Sequence, residues 1–322
     1  MIVDTDGGVD DAVAIWWAAT SPDVDLVAVT TVHGNVDLVT ATDNVCRVLE
    51  ACGAPTVPVA SGHAKALGPV PELRPATFIH GEDGLGNTYR PKAAFGAATE
   101  PAVDLLLRVV AENPGEIVLV PIGPLTNIAA AIRADPTWAS KVKRLVVMGG
   151  AALTQGNALP IGEANIAHDP TAADIVAQAA RVSPPLLVGL DVTHVATFTP
   201  AEVELVEQHN NAAGEFLDAP LACYRRFGGT FSAPGEFPCH DALAVMAAVH
   251  PAMVGGPVLP LGVQVAAGPA HGATVIDRRV TFFAASGGGD QAAPDGFAPW
   301  QIGLEVDVDA FRAELRKMFS AP

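Results

Sequence analysis

Apolar and polar positions alternate between two periods from the first residues onward. Ile2-Val3 is a short apolar strand leading into an acidic turn, and residues 10–20 have helical character. Residues 24–32 are apolar and β-branched and run into His33-Gly34-Asn35, after which Leu38–Ala51 spaces its apolar side chains for an amphipathic helix. The pattern then repeats. Residues 116–122 predict a strand, Gly123-Pro124 a turn and Thr126–Ala134 a helix, and Arg144–Met148 predicts a further strand before Gly149-Gly150 and a polar loop. Residues 169–180 follow as a helix and 185–190 as a buried strand ending at Asp191. Strands that alternate with helices predict an α/β fold: a mainly parallel central sheet flanked by helices, with ligands beyond the carboxyl ends of the strands.

Other segments break the alternation. Residues 61–99 are rich in Pro and Gly and are expected as a surface excursion, and residues 200–227 as two helices inserted away from the sheet. Beyond Pro251 the β-rich pieces are 258–266 and 274–283. Neither a linker nor an internal repeat divides the chain, so residues 1–322 are expected to form one domain with an inserted helical region near 200–238.

Half of the 322 residues are hydrophobic, which fills a large core, and only 16% are charged. Eighteen Lys and Arg against 35 Asp and Glu give a net charge of −17, which argues against a nucleic-acid backbone or an anionic membrane as partner. The mean hydropathy of +0.33 does not point to a membrane span. The longest stretch without a charge, from Asp241 to Asp277, is broken by Pro251, Pro257, Pro260 and Pro269. Acidic residues crowd the N-terminus where an export signal needs basic ones. Four cysteines without CxxC pairing read as reduced thiols in a cytoplasmic protein.

Chemistry concentrates first at Asp4-Thr5-Asp6-Gly7-Gly8-Val9-Asp10-Asp11, with four carboxylates in eight residues. A strand end, a Gly-Gly turn and a helix start bring them together. Acids packed so closely repel one another, and a hard cation such as Ca²⁺ or Mg²⁺ relieves that repulsion. For one acid alone, the positive end of a helix is an equal explanation. The loop is not an EF-hand, since Gly8 and Val9 stand where that loop needs a ligand and a glycine. It has a superficial likeness to the DxDxT loop of haloacid-dehalogenase-type Mg²⁺ phosphatases, but Gly8 replaces the threonine. A second cluster, Cys239-His240-Asp241, opens a helix and offers a ligand and a proton donor, or simply a cap. A third, Gly156-Asn157 with Glu163-Ala164-Asn165, offers the donors and acceptors a sugar requires, or is only solvated.

Taken together, these motifs resemble the inosine–uridine-preferring nucleoside hydrolases, over about three quarters of the chain. DTDGGVDDA is similar to the family's DTDPGxDDA, with Gly7 in place of proline. Further matches in the family's order are Gly34-Asn35, HGxxGLG at 80–86, GPLTN at 123–127, MGG at 148–150, Gly156-Asn157, ExN at 163–165, Asp169-Pro170 and HDAL at 240–243. The resemblance implies that Asp6, Asp11, Asp241 and the Thr126 carbonyl hold Ca²⁺, with Asp10 on the 2′-hydroxyl of a ribonucleoside and Asn35 near the water and sugar. Met148, Asn157, Glu163 and Asn165 would hold the rest of the ribose, His80 would face the base, and His240 would assist its departure. The catalytic set would be Asp6, His240 and Asn35. The implied reaction is hydrolysis of the N-glycosidic bond, by a homodimer or homotetramer. A Mg²⁺ phosphohydrolase or a non-catalytic nucleoside- or ribose-binding protein is the alternative. Ala164 stands where many relatives place an aromatic, and the base is also within range of Tyr224, Arg225, Arg226 or Phe227.

Overall fold

The computed structural model describes residues 1–74, 76–226, 232–279, 281 and 293–320. Its centre is a nine-stranded sheet. In chain order the elements that build it are β1 (Ile2–Thr5), α1 (Val9–Thr20), β2 (Ala28–Thr31), α2 (Leu38–Ala51), β3 (Val59–Ser61), α3 (Thr77–His80), α4 (Ala102–Glu112), β4 (Val118–Pro121), α5 (Thr126–Ala134), β5 (Arg144–Met148), α6 (Ala164–His168), α7 (Pro170–Gln178), β6 (Leu186–Val188) and α8 (Leu190–Thr193). They are followed by β7 (Thr197–Phe198), α9 (Pro200–Glu207), α10 (Ala212–Tyr224), β8 (Phe237–Pro238), α11 (His240–Val249), β9 (Val254–Gly255), β10 (Val258–Val263), β11 (Thr274–Ile276), β12 (Ala298–Ile302), β13 (Glu305–Val306) and α12 (Val308–Ser320).

The strand order is β11-β10-β12-β6-β5-β4-β1-β2-β3. From β3 to β12 all pairs are parallel, and β10 and β11 extend the sheet antiparallel. The expected α/β architecture is therefore present. Strand lengths follow from partners. The apolar run 24–32 yields only Ala28–Thr31 because β1, its neighbour, offers four residues, Ile2 to Thr5, in register. Of the piece 274–283, residues 274–276 form β11, while 280, 282 and 283 lie outside the described residues.

The pleat sorts each strand between two cores. Val3, Val29, Val120, Val146 and Val188 face one side and pack with α1, α2, α10, α11 and α12. Ile2, Ala28, Leu119, Leu145, Val147 and Leu187 face the other, with α4, α5, α7, Trp138 and Trp300. Helix α1 is buried from Val9 to Ala18, so it reads as apolar on almost every side. Helix α10 lies on α1, with Trp16 and Phe216 ring centroids 5.5 Å apart. The excursion 61–99 is mostly at the surface, as expected, but it delivers His80 and Leu85 into the interior.

Strands β2 and β4 flank β1, and the connections leaving β1 and β4 go to opposite faces. The resulting crevice at the carboxyl ends of β1 and β4 is where doubly wound sheets place their ligands.

Candidate active site

The acidic segment occupies that crevice. Gly7 takes φ +72°, a conformation closed to the proline of the related signature, and turns the chain from β1 into α1. Asp11 folds back over the helix start. Its Oδ2 accepts from the Gly8 N–H (2.8 Å), and its Oδ1 accepts from the Asp6 N–H (3.2 Å) and from the Thr5 hydroxyl. Asn35, on the turn after β2, bridges two acids: its N–H and Nδ2 donate to the two oxygens of Asp6 (2.8 and 2.9 Å), and Nδ2 also reaches Asp11 (3.2 Å). Glycines make this proximity possible. A Cβ on Gly34 would stand 2.0 Å from Asp6 Oδ2, and one on Gly8 would stand 2.6 Å from Asn35 Nδ2 and 2.7 Å from His80 Nδ1.

Asp241, at the start of α11, closes the group. Carboxylate oxygens of Asp10, Asp11 and Asp241 all lie within 4.8 Å of one another, and all three residues are buried. Asp10 Oδ2 accepts from the Tyr224 hydroxyl (3.1 Å), but its Oδ1 is sealed and has no hydrogen-bond partner. Burial and then the charge of Asp11 push Asp10 up to about 7 and Asp6 well above the usual carboxylate range. Asp241 is raised in the same direction by burial and by Asp10. Such a group suits a hard cation: oxygens bound to one Ca²⁺ at roughly 2.3–2.6 Å can stand no more than about 5 Å apart. The donors are all oxygen, and an unpartnered oxygen is among them.

Two histidines border the carboxylates. His80 accepts at Nδ1 from the Val9 N–H (3.1 Å), and burial pushes its imidazole down to about 4. His240 contacts Thr193 through Nδ1 (2.7 Å), and burial, with His194 and His80 nearby, pushes it down to about 3. Of the four candidates for the base side, Tyr224 is buried against His80 at 5.4 Å between ring centroids. Arg225 is exposed and paired with Glu207, Arg226 is exposed, and Phe227 lies outside the described residues.

On the other side of the crevice, Glu163 caps α6, accepting from the N–H groups of Asn165 (2.9 Å), Ile166 (3.2 Å) and Gly150 (2.8 Å). Burial raises its carboxyl nonetheless. Asn165 Nδ2 donates to the carbonyl of Ile122 (2.9 Å) and contacts both the carbonyl and Sδ of Met148. This places Glu163, Asn165 and Met148 together at the ends of β4 and β5. Asn157 is exposed, its Oδ1 accepting from the Ala164 N–H (2.9 Å).

Thr126, expected as a backbone ligand, sits at the start of a helix. It is the first residue of α5, so its carbonyl serves the helix's own hydrogen bonding, while its hydroxyl donates to Asp169 (2.8 Å). Ile122, at the end of β4, donates its N–H to the Asp4 carbonyl (2.7 Å) and accepts from Asn165 at its own carbonyl (2.9 Å), which makes that oxygen a second backbone candidate. Sequence reasoning also missed Thr193, since nothing in the motif at His240 points back to α8. The Tyr224–Asp10 contact, in contrast, was within reach through the candidates near the base.

Known proteins resemble this chain in sequence and in fold. The profile of the inosine-uridine preferring nucleoside hydrolase family matches residues 1–313. A probable uridine nucleosidase 1 of Oryza sativa subsp. japonica is 38% identical over 252 residues, covering 78% of this chain and 76% of the relative. The inosine-uridine preferring nucleoside hydrolase of Leishmania major is 37% identical over 286 residues, or 87% of this chain and 88% of the relative. Among solved structures, a plant nucleoside hydrolase superposes with a TM-score of 0.89 at 36% identity, over 100% of this chain and 98% of the other.

Proposed function

The chain belongs to the inosine-uridine preferring nucleoside hydrolase family and is an enzyme of that class; on that footing we propose that it is a Ca²⁺-dependent N-ribohydrolase, converting a ribonucleoside and water to ribose and a free base. The observation that carries the metal dependence is the buried group of Asp10, Asp11 and Asp241, with one oxygen sealed and unpartnered. Asp6, Asp11 and Asp241 would hold the ion, with Asp10 beside them and the Thr126 and Ile122 carbonyls as the candidate backbone oxygens. When bound, Ca²⁺ supplies a fixed charge that orients the sugar hydroxyls and a water.

The chain's own residues do the rest. Asp6, held at both oxygens by Asn35, accepts the proton of the attacking water. Asp10 takes the 2′-hydroxyl, and Asn165 and Glu163, fixed at the ends of β4 and β5, approach the remainder of the ribose. Breaking the ribosyl C–N bond builds positive charge on the sugar, as in glycoside hydrolysis, and the surrounding carboxylates favour it. His80 and His240 lie on the base side, where a donor stabilises the departing nitrogen heterocycle.

The test is release of free ribose from a panel of purine and pyrimidine nucleosides, with and without a calcium chelator, for the wild type and Asp6→Asn. Ribose release is expected to stop on chelation and to fall by at least about 10²-fold in Asp6→Asn. Unchanged turnover after complete removal of calcium would exclude the metal role. The relatives' names mention uridine and inosine, and the panel decides how Ala164 bears on that choice. The same reading extends to cytoplasmic salvage by a homodimer or homotetramer, testable by light scattering. Among the described residues no helix is long and apolar enough to cross a membrane.

A further inference from the structure

Both histidines of the site are tied through Nδ1, but by different means. For His80 the tie is a backbone N–H, that of Val9, so Nδ1 accepts and a neutral ring carries its hydrogen on Nε2. For His240 the tie is a side chain, the hydroxyl of Thr193 at 2.7 Å. Thr193 is fully buried, and His240 Nδ1 is the partner of its hydroxyl among the described residues. A hydroxyl sealed from water has a proton that it must donate, and Nδ1 is the acceptor beside it. Nδ1 is therefore unprotonated and the ring hydrogen sits on Nε2. That nitrogen has no hydrogen-bond partner among the described residues, and it is not one of the sealed atoms.

The turn that presents Thr193 is itself anchored. Helix α8 begins where the Leu190 N–H donates to the Gly150 carbonyl (2.9 Å). Asp191, in the same turn, accepts from the N–H groups of Ala152 (2.7 Å) and Leu153 (2.8 Å). The loop after β5, which also meets Glu163, thus fixes the position from which Thr193 reaches His240.

We propose that Thr193 is a positioning residue for departure of the base: its hydroxyl holds His240 with the hydrogen on Nε2, available to the leaving group. This rests on the reading of His240 as the residue facing that group. As the ribosyl C–N bond breaks, its electron pair moves onto the base, and Nε2–H donates a hydrogen bond to the atom that gathers the charge. Water adds its oxygen to the sugar carbon and gives its proton to Asp6, and the released base takes a proton from solvent. Thr193 gains and loses nothing. Without its hydroxyl the ring is free to carry hydrogen on Nδ1, which turns a lone pair toward a developing anion.

The experiment compares wild type, Thr193→Val, Thr193→Ser and His240→Ala. Nitrogen-15 correlation spectra of the His240 ring are expected to show Nε2–H in the wild type and Thr193→Ser, and a tautomer mixture in Thr193→Val. Uridine turnover should fall by about 10²-fold in Thr193→Val with little change in KM, and Thr193→Ser should recover most of it. Hydrolysis of 4-nitrophenyl riboside, whose leaving group is stable as an anion, should fall far less in the same preparations.

Nδ1–H in the wild type would overturn the proposal, as would an unchanged uridine rate in Thr193→Val or equal losses on both substrates. A His240→Ala variant that cleaves uridine normally would instead sink the reading of His240, while the spectra report on the Thr193 contact by themselves.

Discussion

At the scale of single residues, the site depends on what is missing from Gly34. Its backbone lies against Asp6, and the 2.0 Å between a would-be Cβ and Oδ2 cannot be relieved without moving the carboxylate. Gly34→Ala is expected to fold but to misplace Asp6 and Asn35 together. The ribose-release rate should fall by about 10²-fold, because displacement of about 1 Å is enough to disrupt reacting geometry. Calorimetric titration should show weaker calcium binding in the same variant. The four acids of the first loop were legible in the sequence because they are neighbours in the chain. Thr193 and the Ile122 carbonyl become neighbours of the site only through the tertiary fold, which local spacing does not encode.

At the scale of elements, Asp169 binds three pieces of structure at one buried point. It caps α7 through the Ala172 N–H (3.0 Å), accepts from the Leu67 N–H (2.8 Å) on the long excursion, and receives the Thr126 hydroxyl of α5. Removing it leaves those donors buried and unpaired, so Asp169→Ala should destabilise the fold by about 2–4 kcal/mol in a denaturant titration. The helices α2 and α5 and the strand β5 have the bounds their patterns predict. Strands β2, β4 and β6 are shorter than their apolar runs. A run records which residues are buried, whereas a ladder ends where its partner does.

For the molecule as a whole, the buried acids couple folding to pH and, with calcium bound as proposed, to the ion. Burial raises Asp6 and Asp241, and raises Asp4 and Asp10 to about 7, well above their values in an unfolded chain. These acids therefore bind more protons in the calcium-free folded state than in the unfolded chain between about pH 4 and pH 7, and their contribution to stability declines as pH rises through that window, whereas His33, His80 and His240, pushed down by burial, contribute with the opposite sign. Calcium bound as proposed would compete with those protons, so its stabilising effect should be larger at about pH 8 than at about pH 5, as thermal melts with and without chelator would show. A calcium-induced shift of equal size at both pH values would contradict this linkage.

The separation of α1 and α11 along the chain has a further consequence, for the order of events during synthesis. Asp6, Asp10 and Asp11 leave the ribosome well before Asp241, which follows Asp11 by 230 residues. β12, which pairs with β6, comes later still. The closing contacts are thus among the most distant in the sequence, the kind whose formation slows folding. Until α11 arrives, the nascent chain carries a cluster of like charges with no fourth carboxylate to complete it. Tight calcium capture would then mark a chain translated past that helix, and a stalled product that ends earlier would bind the ion weakly.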